Sequence, residues 1–424
     1  MKPFRFVHSA DLHLDSPFTG LKSSVPEHVA KSLRQATFDA YENIVDLCIT
    51  EGVDALLIAG DVYDGADRSL RAQRRFIEGL DRLHQNGIRS FVCHGNHDPL
   101  DGWEARLRYP PSCHRFGSKF QAVEVFENEP GRAVVHGVSY PTRNVKRNLV
   151  RRMGRVDPLF FNVGLLHANV DNDANHLAYA PCTLSDLADT GVDYWALGHV
   201  HTRRVLNTQS PTVVYPGNPQ GRHLNETGAR GVYLVTVDES GRIGLEFRPV
   251  DTVRWERLIV DIAETDTEQN LLDDLHRRVG EALEQGEGRS LVLRMTLSGR
   301  GGLHRFLRQP GSIDDLTDEL NRASADLHPF AWCERIEDRT AGPFDREERL
   351  QGSDFVADLL RLCDQAKKDP ELLGKLRESL SDLFHHWKYR RYLKDAVPDD
   401  PALSGLLDEA ESMALNLLVE DDVP

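Results

Sequence analysis

Five short apolar runs in the first half of the chain each empty into an acid, an asparagine or a histidine. Phe4–Val7 leads to Asp11, Ala55–Ala59 to Asp61, Ser90–Cys93 to Asn96, Phe161–Leu166 to His167, and Tyr194–Leu197 to His199. Such runs are too short for helices and are rich in β-branched and aromatic residues, so they read as buried strands. Amphipathic stretches over roughly 27–50 and 69–86 read as helices between them, which makes the pattern α/β. Open α/β sheets collect their sites beyond the carboxyl ends of their strands, so these polar residues share one meeting place.

A chain of 424 residues exceeds what one ordinary core encloses, and 40% hydrophobic content suffices for two or three cores. From about Phe120 to Tyr140 and from Thr212 to Val250 strand-like pieces alternate with the turn signals NEPG, ETGARG and DESGR, as in hairpins. Residues 255–340 mix the strand-like pieces Glu256–Asp261, Ser290–Leu297 and Ala331–Ile336 with two helix-like ones, the pattern of a small α+β domain. After TAGPFD the chain turns helical. Two of its helices open on Asp369-Pro370 and Asp400-Pro401, with Asp as N-cap and Pro at the first helical position. Each carries one greasy face, Leu373, Leu376, Leu380, Leu383 and Trp387 in the first, and Leu403, Leu407, Ala410, Ala414 and Leu417 in the second. The expected domains are 1–250, 251–342 and 343–424.

The net charge of −16, if spread evenly, would argue against a polyanionic partner. It is not spread evenly: residues 1–250 carry 28 Lys+Arg against 29 Asp+Glu, and residues 251–424 carry 23 against 38. A nucleic-acid substrate therefore stays open for the first part. Six scattered cysteines without a CxxC pair suit a reducing compartment. No apolar run is long enough to cross a bilayer, and MKPFRFVHSADLHLDSP lacks the apolar stretch of an export signal, so the expectation is a cytoplasmic protein without a membrane partner. No GxxxxGK[ST] occurs, so any ATP dependence must come from another chain.

The chemistry-bearing signals are ADLHLD (Asp11, His13), GDVYD (Asp61), GNHD (Asn96, His97, Asp98), LLHANV (His167) and GHVHT (His199, His201). Carboxylate and imidazole are the ligands of borderline divalent metals, and an asparagine oxygen supplements them without adding charge. On an extended segment Asp-x-His and His-x-His put both side chains on one face, so each pair can chelate one centre. A single pair is more often a cap or a core hydrogen bond, whereas five signals in order favour metal. His136, His176 and His223 read as surface or core histidines.

This ordered set resembles the calcineurin-like metallophosphoesterases, whose pattern runs Asp-x-His, Gly-Asp, Gly-Asn-His-Asp/Glu, His, Gly-His-x-His. The resemblance implies a four-layer α/β architecture, a β-sandwich flanked by helices, here followed by the small α+β cap domain and the helical C-terminal region. It also implies two divalent ions, manganese foremost, with iron, zinc or magnesium as alternatives. Asp11, His13 and His201 would hold one ion, Asn96, His167 and His199 the other, and Asp61 would bridge them. Two such ions about 3.5–4 Å apart clamp a phosphodiester and activate a hydroxide for in-line attack. His97 would then protonate or stabilise the leaving oxygen, with Asp98 either orienting its imidazole or serving as a turn residue before Pro99.

Within that superfamily SADLHLDSPF, LLHANVDNDANHLAYAPCTLSDL and YPGNPQGRH look like the SbcD/YhaO type of DNA repair exonuclease, closest to its YhaO branch. The implication is a manganese-dependent nuclease, exonucleolytic with endonuclease action allowed, working with an SbcC- or YhaN-like coiled-coil ATPase; a homodimer is allowed. A phosphoesterase of small nucleotides or phosphoproteins and a DNA-end-binding scaffold are the alternatives. In TRNVKRNLVRRMGR, Arg143, Lys146, Arg147, Arg151, Arg152 and Arg155 recur mostly at helical spacing without an acid, as either a DNA-phosphate face or a solvated helix face. DRSLRAQRR is a weaker candidate. The C-terminal helices and LFHHWKYRRYLKD, with Trp387, Tyr389 and Tyr392, could dock a coiled coil or pack on the chain's own cap domain. In GDVYDGAD, Asp67 reads as the N-cap of the next helix. Asp64 stands where the resemblance places a histidine that assists exonucleolytic cleavage, and an acid cannot supply that charge at neutral pH.

Overall fold

The computed structural model describes residues 3–16, 18, 25–65, 69–126, 133–171, 179–385 and 399–418. Its contacts divide the chain into two compact units. One comprises Met1–Leu258, Asp274–Thr296 and Asp314–Glu337; the other comprises Ile259–Asp273, Leu297–Ile313 and Asp338–Pro424.

The first unit is built on two six-stranded mixed sheets. The strands are β1 (Phe4–Ser9), β2 (Ala55–Ala59), β3 (Arg89–Cys93), β4 (Cys113–Arg115), β5 (Gln121–Glu124), β6 (Ala133–Gly137), β7 (Phe161–His167), β8 (Tyr194–Gly198), β9 (Arg204–Asn207), β10 (Thr212–Tyr215), β11 (Gly231–Val237) and β12 (Ile243–Pro249). One sheet has the order β12-β11-β1-β2-β3-β4, the other β5-β6-β7-β8-β10-β9. The five expected strands lie at the centres of these sheets, where β1, β2 and β3 run parallel, as do β7 and β8. Two expected hairpins form as antiparallel pairs, β5 with β6 and β11 with β12, whereas at ETGARG the chain passes from β10 in one sheet to β11 in the other.

Strand periodicity explains the layering. Along β2, Leu56 and Ile58 face one way and Ala55, Leu57 and Ala59 the other, as alternating side chains must. The second set meets Val135, Phe161, Val163, Leu165, Tyr194 and Ala196 from the opposite sheet, so the sheets close face to face. Leu56 and Ile58 are covered by α1 (Glu27–Glu51) and α2 (Leu70–Gln85), through Phe38, Tyr41, Ile44, Phe76 and Leu80. Full burial of such side chains contributes about 1.5–3 kcal/mol each. The outer face of the second sheet is covered by irregular chain through Val145, Leu149 and Val150 and by the short helix α3 (Leu184–Ala188). The fourth layer is thus mostly loop.

After β12 come β13 (Val253–Asp261), α4 (Glu268–Gln285), β14 (Ser290–Ser298), α5 (His304–Leu307), α6 (Ser312–Ser324) and β15 (Ala331–Asp338), with sheet order β13-β14-β15. Ser290 N bonds Thr252 O at one end of the first pair and Ile262 N bonds Ser298 O at the other, while Leu291 N bonds Phe330 O and Arg339 N bonds Leu297 O. The registers run in the same direction, so the small sheet is parallel, and its strands are joined by helical crossovers as parallel neighbours require.

The chain ends in α7 (Arg346–Leu350), α8 (Phe355–Lys368), α9 (Pro370–His385) and α10 (Asp400–Leu418). Asp369 caps α9 as expected, its Oδ1 accepting from Glu371 N at 2.8 Å. For α10 the cap is Asp399, which accepts from Ala402 N at 2.9 Å; Asp400, the expected cap, is already helical. Of two adjacent acids, the one three residues before a free N–H takes the role. The expected greasy face of α10 also shifts, since Leu403 and Leu415 are buried whereas Ala410 is exposed. Leu376, Leu380, Leu407 and Ala414 are only partly buried; Trp387, Tyr389 and Tyr392 lie outside the described residues, as do the side chains of Leu383 and Leu417. Among the described residues no helix is long and apolar enough to cross a membrane.

Candidate metal centre

The carboxyl ends of β1, β2 and β3 meet those of β7 and β8 at one edge of the sandwich. The approach is close: a Cβ on Gly198 would lie 1.8 Å from Ala59 O, and one on Gly95 would lie 2.3 Å from Asp61 Oδ1. Beyond the strands the backbone turns sharply, and Asp11, His13, Asp61 and His199 all have positive φ, at 53°, 43°, 50° and 99°. Non-glycine residues adopt that region seldom and at a cost of order 1–3 kcal/mol, and such strain gathers at functional sites. The Asp-x-His and His-x-His segments are therefore not extended, and their side chains converge through left-handed turns rather than through strand alternation.

All seven expected ligands come to this edge. Asp11, His13 and His201 place ligand atoms within 4.8 Å of one another, and so do Asp11, Asp61 and His167. Asp11 is common to both groups, and Asp61 Oδ2 stands 4.0 Å from His13 Nε2 of the first and 3.3 Å from His167 Nε2 of the second. Asn96 Oδ1 is 3.0 Å from the same His167 nitrogen. The His199 ring packs edge-on against that of His167, centroids 5.2 Å apart, and its backbone N–H donates to both Asp11 carboxylate oxygens at 3.1 Å.

Three of the imidazoles are oriented alike. His167 Nδ1 donates to Ala59 O at 3.0 Å, His201 Nδ1 donates to Glu226 Oε1 at 2.6 Å, and His13 Nδ1 lies 3.5 Å from Asp64 Oδ1. Their Nε2 atoms consequently point inward, and those of His13 and His201 stand 3.3 Å apart. An outward hydrogen bond to an oxygen is the usual means of fixing a ligating histidine. Burial, followed by the nearby Arg222 cation, lowers His13 to about 4, so its ring is the neutral, ligating form. For His167 burial also lowers the pKa, but Asp61 and Asp11 outweigh it and raise the ring to about 9. Burial would raise Asp61, yet His167, His13 and His97 hold it below the ordinary carboxylate range. Asp11 is raised, chiefly by burial.

These residues fit a pair of divalent ions. Inward-facing imidazole nitrogens, two carboxylates and an amide oxygen form a mixed donor set suited to borderline metals. Together the clusters suggest a dinuclear site. Glu226, buried to 3% exposure, supports it from outside, accepting from His201 and from Arg222 N at 2.8 Å while His223 Nε2 stands 3.3 Å away. Burial would raise Glu226, but His201 and Arg222 hold it low. Sequence reading missed Glu226, which sits in a loop with no periodic signal, and it missed that His223 borders the site. His136 bonds Asn162 Oδ1 at 2.9 Å, away from the centre, and His176 lies outside the described residues.

His97 is a third exposed, and its partner is not Asp98. Its Nδ1 lies 2.6 Å from Asp64 Oδ1. Burial would lower His97, but Asp64 and Asp61 outweigh it and raise the ring above its ordinary value, which favours the protonated form. Asp98 is fully buried and turns the other way, accepting from Gly95 N at 2.7 Å, Val62 N at 3.0 Å and His94 Nδ1 at 2.9 Å. It bolts the Asp61 loop to the Asn96 loop, closer to the turn reading than to the catalytic one. Adjacent residues outside a regular element need not face each other. Asp67 lies outside the described residues, and the cap of α2 is Ser69, whose Oγ accepts from Ala72 N at 2.9 Å.

The basic stretch does not form the expected helix. Residues 141–155 are irregular apart from one 3-10 turn, Val150–Arg152, held down by buried Val145, Leu149 and Val150. All six cations are exposed. Arg151 pairs with Asp186 at 3.1 Å; Arg143, Lys146, Arg147, Arg152 and Arg155 have no ion-pair partner among the described residues. The loop reaches the centre in two steps: Val145 O accepts from Ala180 N, and neighbouring Tyr179 packs its ring on His199, centroids 5.7 Å apart. The weaker candidate is largely spent on acids, Arg74 pairing with Glu78 and Arg75 with Glu42.

Residues 4–203 match the family model described as calcineurin-like phosphoesterase, and residues 255–341 match that of the metallophosphoesterase YhaO middle domain. The chain is 34% identical over 389 residues to the metallophosphoesterase YhaO of Bacillus subtilis (strain 168), covering 91% of each. It is 27% identical over 310 residues to the DNA double-strand break repair protein Mre11 of Methanopyrus kandleri, covering 65% of this chain and 62% of that one. It is 32% identical over 105 residues to one component of the nuclease SbcCD of Rhodobacter capsulatus, covering 24% and 23%.

Proposed function

We propose that this chain, which belongs to the YhaO family of calcineurin-like metallophosphoesterases and is related to the Mre11/SbcD nucleases, is a two-metal phosphodiesterase that cleaves DNA in repair. The observation that carries the reading is the convergence of Asp11, His13, Asp61, Asn96, His167, His199 and His201 beside His97, whose Nδ1 faces the Asp64 carboxylate. Asp11, His13 and His201 would hold one ion, Asn96, His167 and His199 the other, and Asp61 both, manganese being our choice of metal. When bound, the ions supply Lewis acidity toward the phosphodiester oxygens and toward water.

The chain's own residues do the rest. The outward hydrogen bonds of His167 and His201 fix their donor geometry. Asp64 accepts from His97 Nδ1, which orients the ring and stabilises its charged form, so the other ring proton can pass to the leaving sugar oxygen. His97 is left neutral and recovers its proton from water. The acid at position 64 therefore leaves leaving-group protonation intact, which supports a cleaving enzyme over an inactive scaffold.

DNA as the substrate is supported by the exposed cations of 141–155, whose loop is joined to His199 through Ala180 and Tyr179, and by the relatives named as a double-strand break repair protein and a nuclease. Phosphate contacts of that kind position a duplex without reading its sequence. An SbcC- or YhaN-like coiled-coil ATPase as partner is supported by α8 and α10, which expose Phe355 and Leu362, and Leu406 and Met413, each pair one heptad apart. A cytoplasmic setting is supported by six unpaired cysteines. With manganese, purified protein should degrade end-labelled duplex DNA, and His97→Ala should slow it about 10²–10⁴-fold while retaining metal. Turnover of small phosphoesters without any cut in DNA would overturn the DNA assignment.

A further inference from the structure

We infer that Arg222 is a positioning residue for the acid of this site, acting through Asp64 on His97. The inference rests on the two-metal reading above. Arg222 lies in the loop between β10 and β11. Its side chain is 12% exposed, and its Nη1 donates to Ser16 Oγ at 2.8 Å and reaches Asp64 Oδ2 at 3.4 Å. Ser16 Oγ donates to that same Oδ2 at 2.6 Å. One carboxylate oxygen of Asp64 is thus pinned by two groups from separate segments. The other, Oδ1, is left to face His97 Nδ1 at 2.6 Å and His13 Nδ1 at 3.5 Å. A carboxylate free to turn would exchange its oxygens between these partners and let the His97 ring swing. With Oδ2 held by Arg222 and Ser16, Oδ1 has one position.

The main chain of Arg222 is held independently. Its N–H donates to Glu226 Oε2, and a Cβ on the preceding Gly221 would lie 2.6 Å from Glu226 O, so the loop is tight without the guanidinium. Replacing the side chain therefore leaves the Glu226–His201 hydrogen bond in place and frees Ser16 and the Oδ2 of Asp64. The consequence is selective. A poor leaving group such as a sugar hydroxyl needs a well-placed acid, whereas p-nitrophenolate departs without one.

The test compares wild type, Arg222→Met, Arg222→Lys and Ser16→Ala, with manganese, on duplex DNA and on bis(p-nitrophenyl) phosphate, alongside manganese equivalents bound per chain. Arg222→Met is expected to lower kcat on DNA about ten- to a hundredfold and on the aryl diester less than about threefold, with the manganese count unchanged. Arg222→Lys should recover part of the loss, and Ser16→Ala should show a smaller loss of the same selectivity, which keeps the test open if Arg222→Met fails to fold. Equal losses on both substrates, loss of manganese, or an unchanged rate on DNA overturns the role of Arg222 alone. A wild type that binds fewer than two manganese ions or cleaves neither diester overturns the two-metal reading and this inference with it.

Discussion

Glu226 and Asp64 each take a histidine Nδ1 at the residue scale, Glu226 that of His201 and Asp64 that of His97, and so set where each ring's Nε2 points. For Glu226 the consequence is measurable. In Glu226→Gln an amide N–H₂ must face either His201 Nδ1–H or Arg222 N–H, two donors, so one contact is lost. Manganese affinity is expected to fall about 10–100-fold by titration calorimetry, and an unchanged affinity would remove Glu226 from the site. His167 sets the pH dependence. Its pKa in the metal-free chain is raised to about 9, so at neutral pH the ring holds a proton that metal binding must displace. Affinity should therefore rise with pH and level off near 9, changing up to about tenfold per unit below that from this group. Affinity independent of pH between 6 and 8 would contradict the assignment. The seven expected ligands were legible as one group because acids and imidazoles at the ends of buried strands have few structural excuses. The pairing of Asp64 with His97 was not legible because the two stand 33 positions apart, and of the two readings of Asp98 the contacts to Gly95, Val62 and His94 lie nearer the turn.

At the scale of elements, the strands announced themselves and the turns after them did not. Nothing in a linear pattern says that Asp11, His13, Asp61 and His199 adopt positive φ; that follows from two sheets closing until Gly198 touches Ala59. The stretch 141–155 shows the opposite failure, cations at helical spacing that form no helix because Val145, Leu149 and Val150 are drawn down against the second sheet. Its cations are exposed all the same, and the DNA reading needs only that. Charge reversal at Arg147 and Arg152 should weaken duplex binding at every sequence and reduce the slope of log affinity against log salt by about 2. A slope that does not change would place the DNA elsewhere on the surface.

For the whole molecule, the sandwich, the small parallel sheet and the terminal helices all appear in the order expected, because short buried strands, crossover helices and Asp-Pro starts are local signals. The α10 face was harder to read, since which stripe is buried depends on ion pairs such as Arg346 with Asp364 and Glu411, made across elements. The central claim concerns one edge of that sandwich, where Asp61 approaches both His13 and His167 in the two candidate clusters. Counting manganese bound per folded chain tests it most directly, in wild type and in Asp61→Asn with folding checked by circular dichroism. The account predicts two ions in wild type and at most one in the variant. A wild type that binds fewer than two, or a variant that keeps both at unaltered affinity, would contradict it.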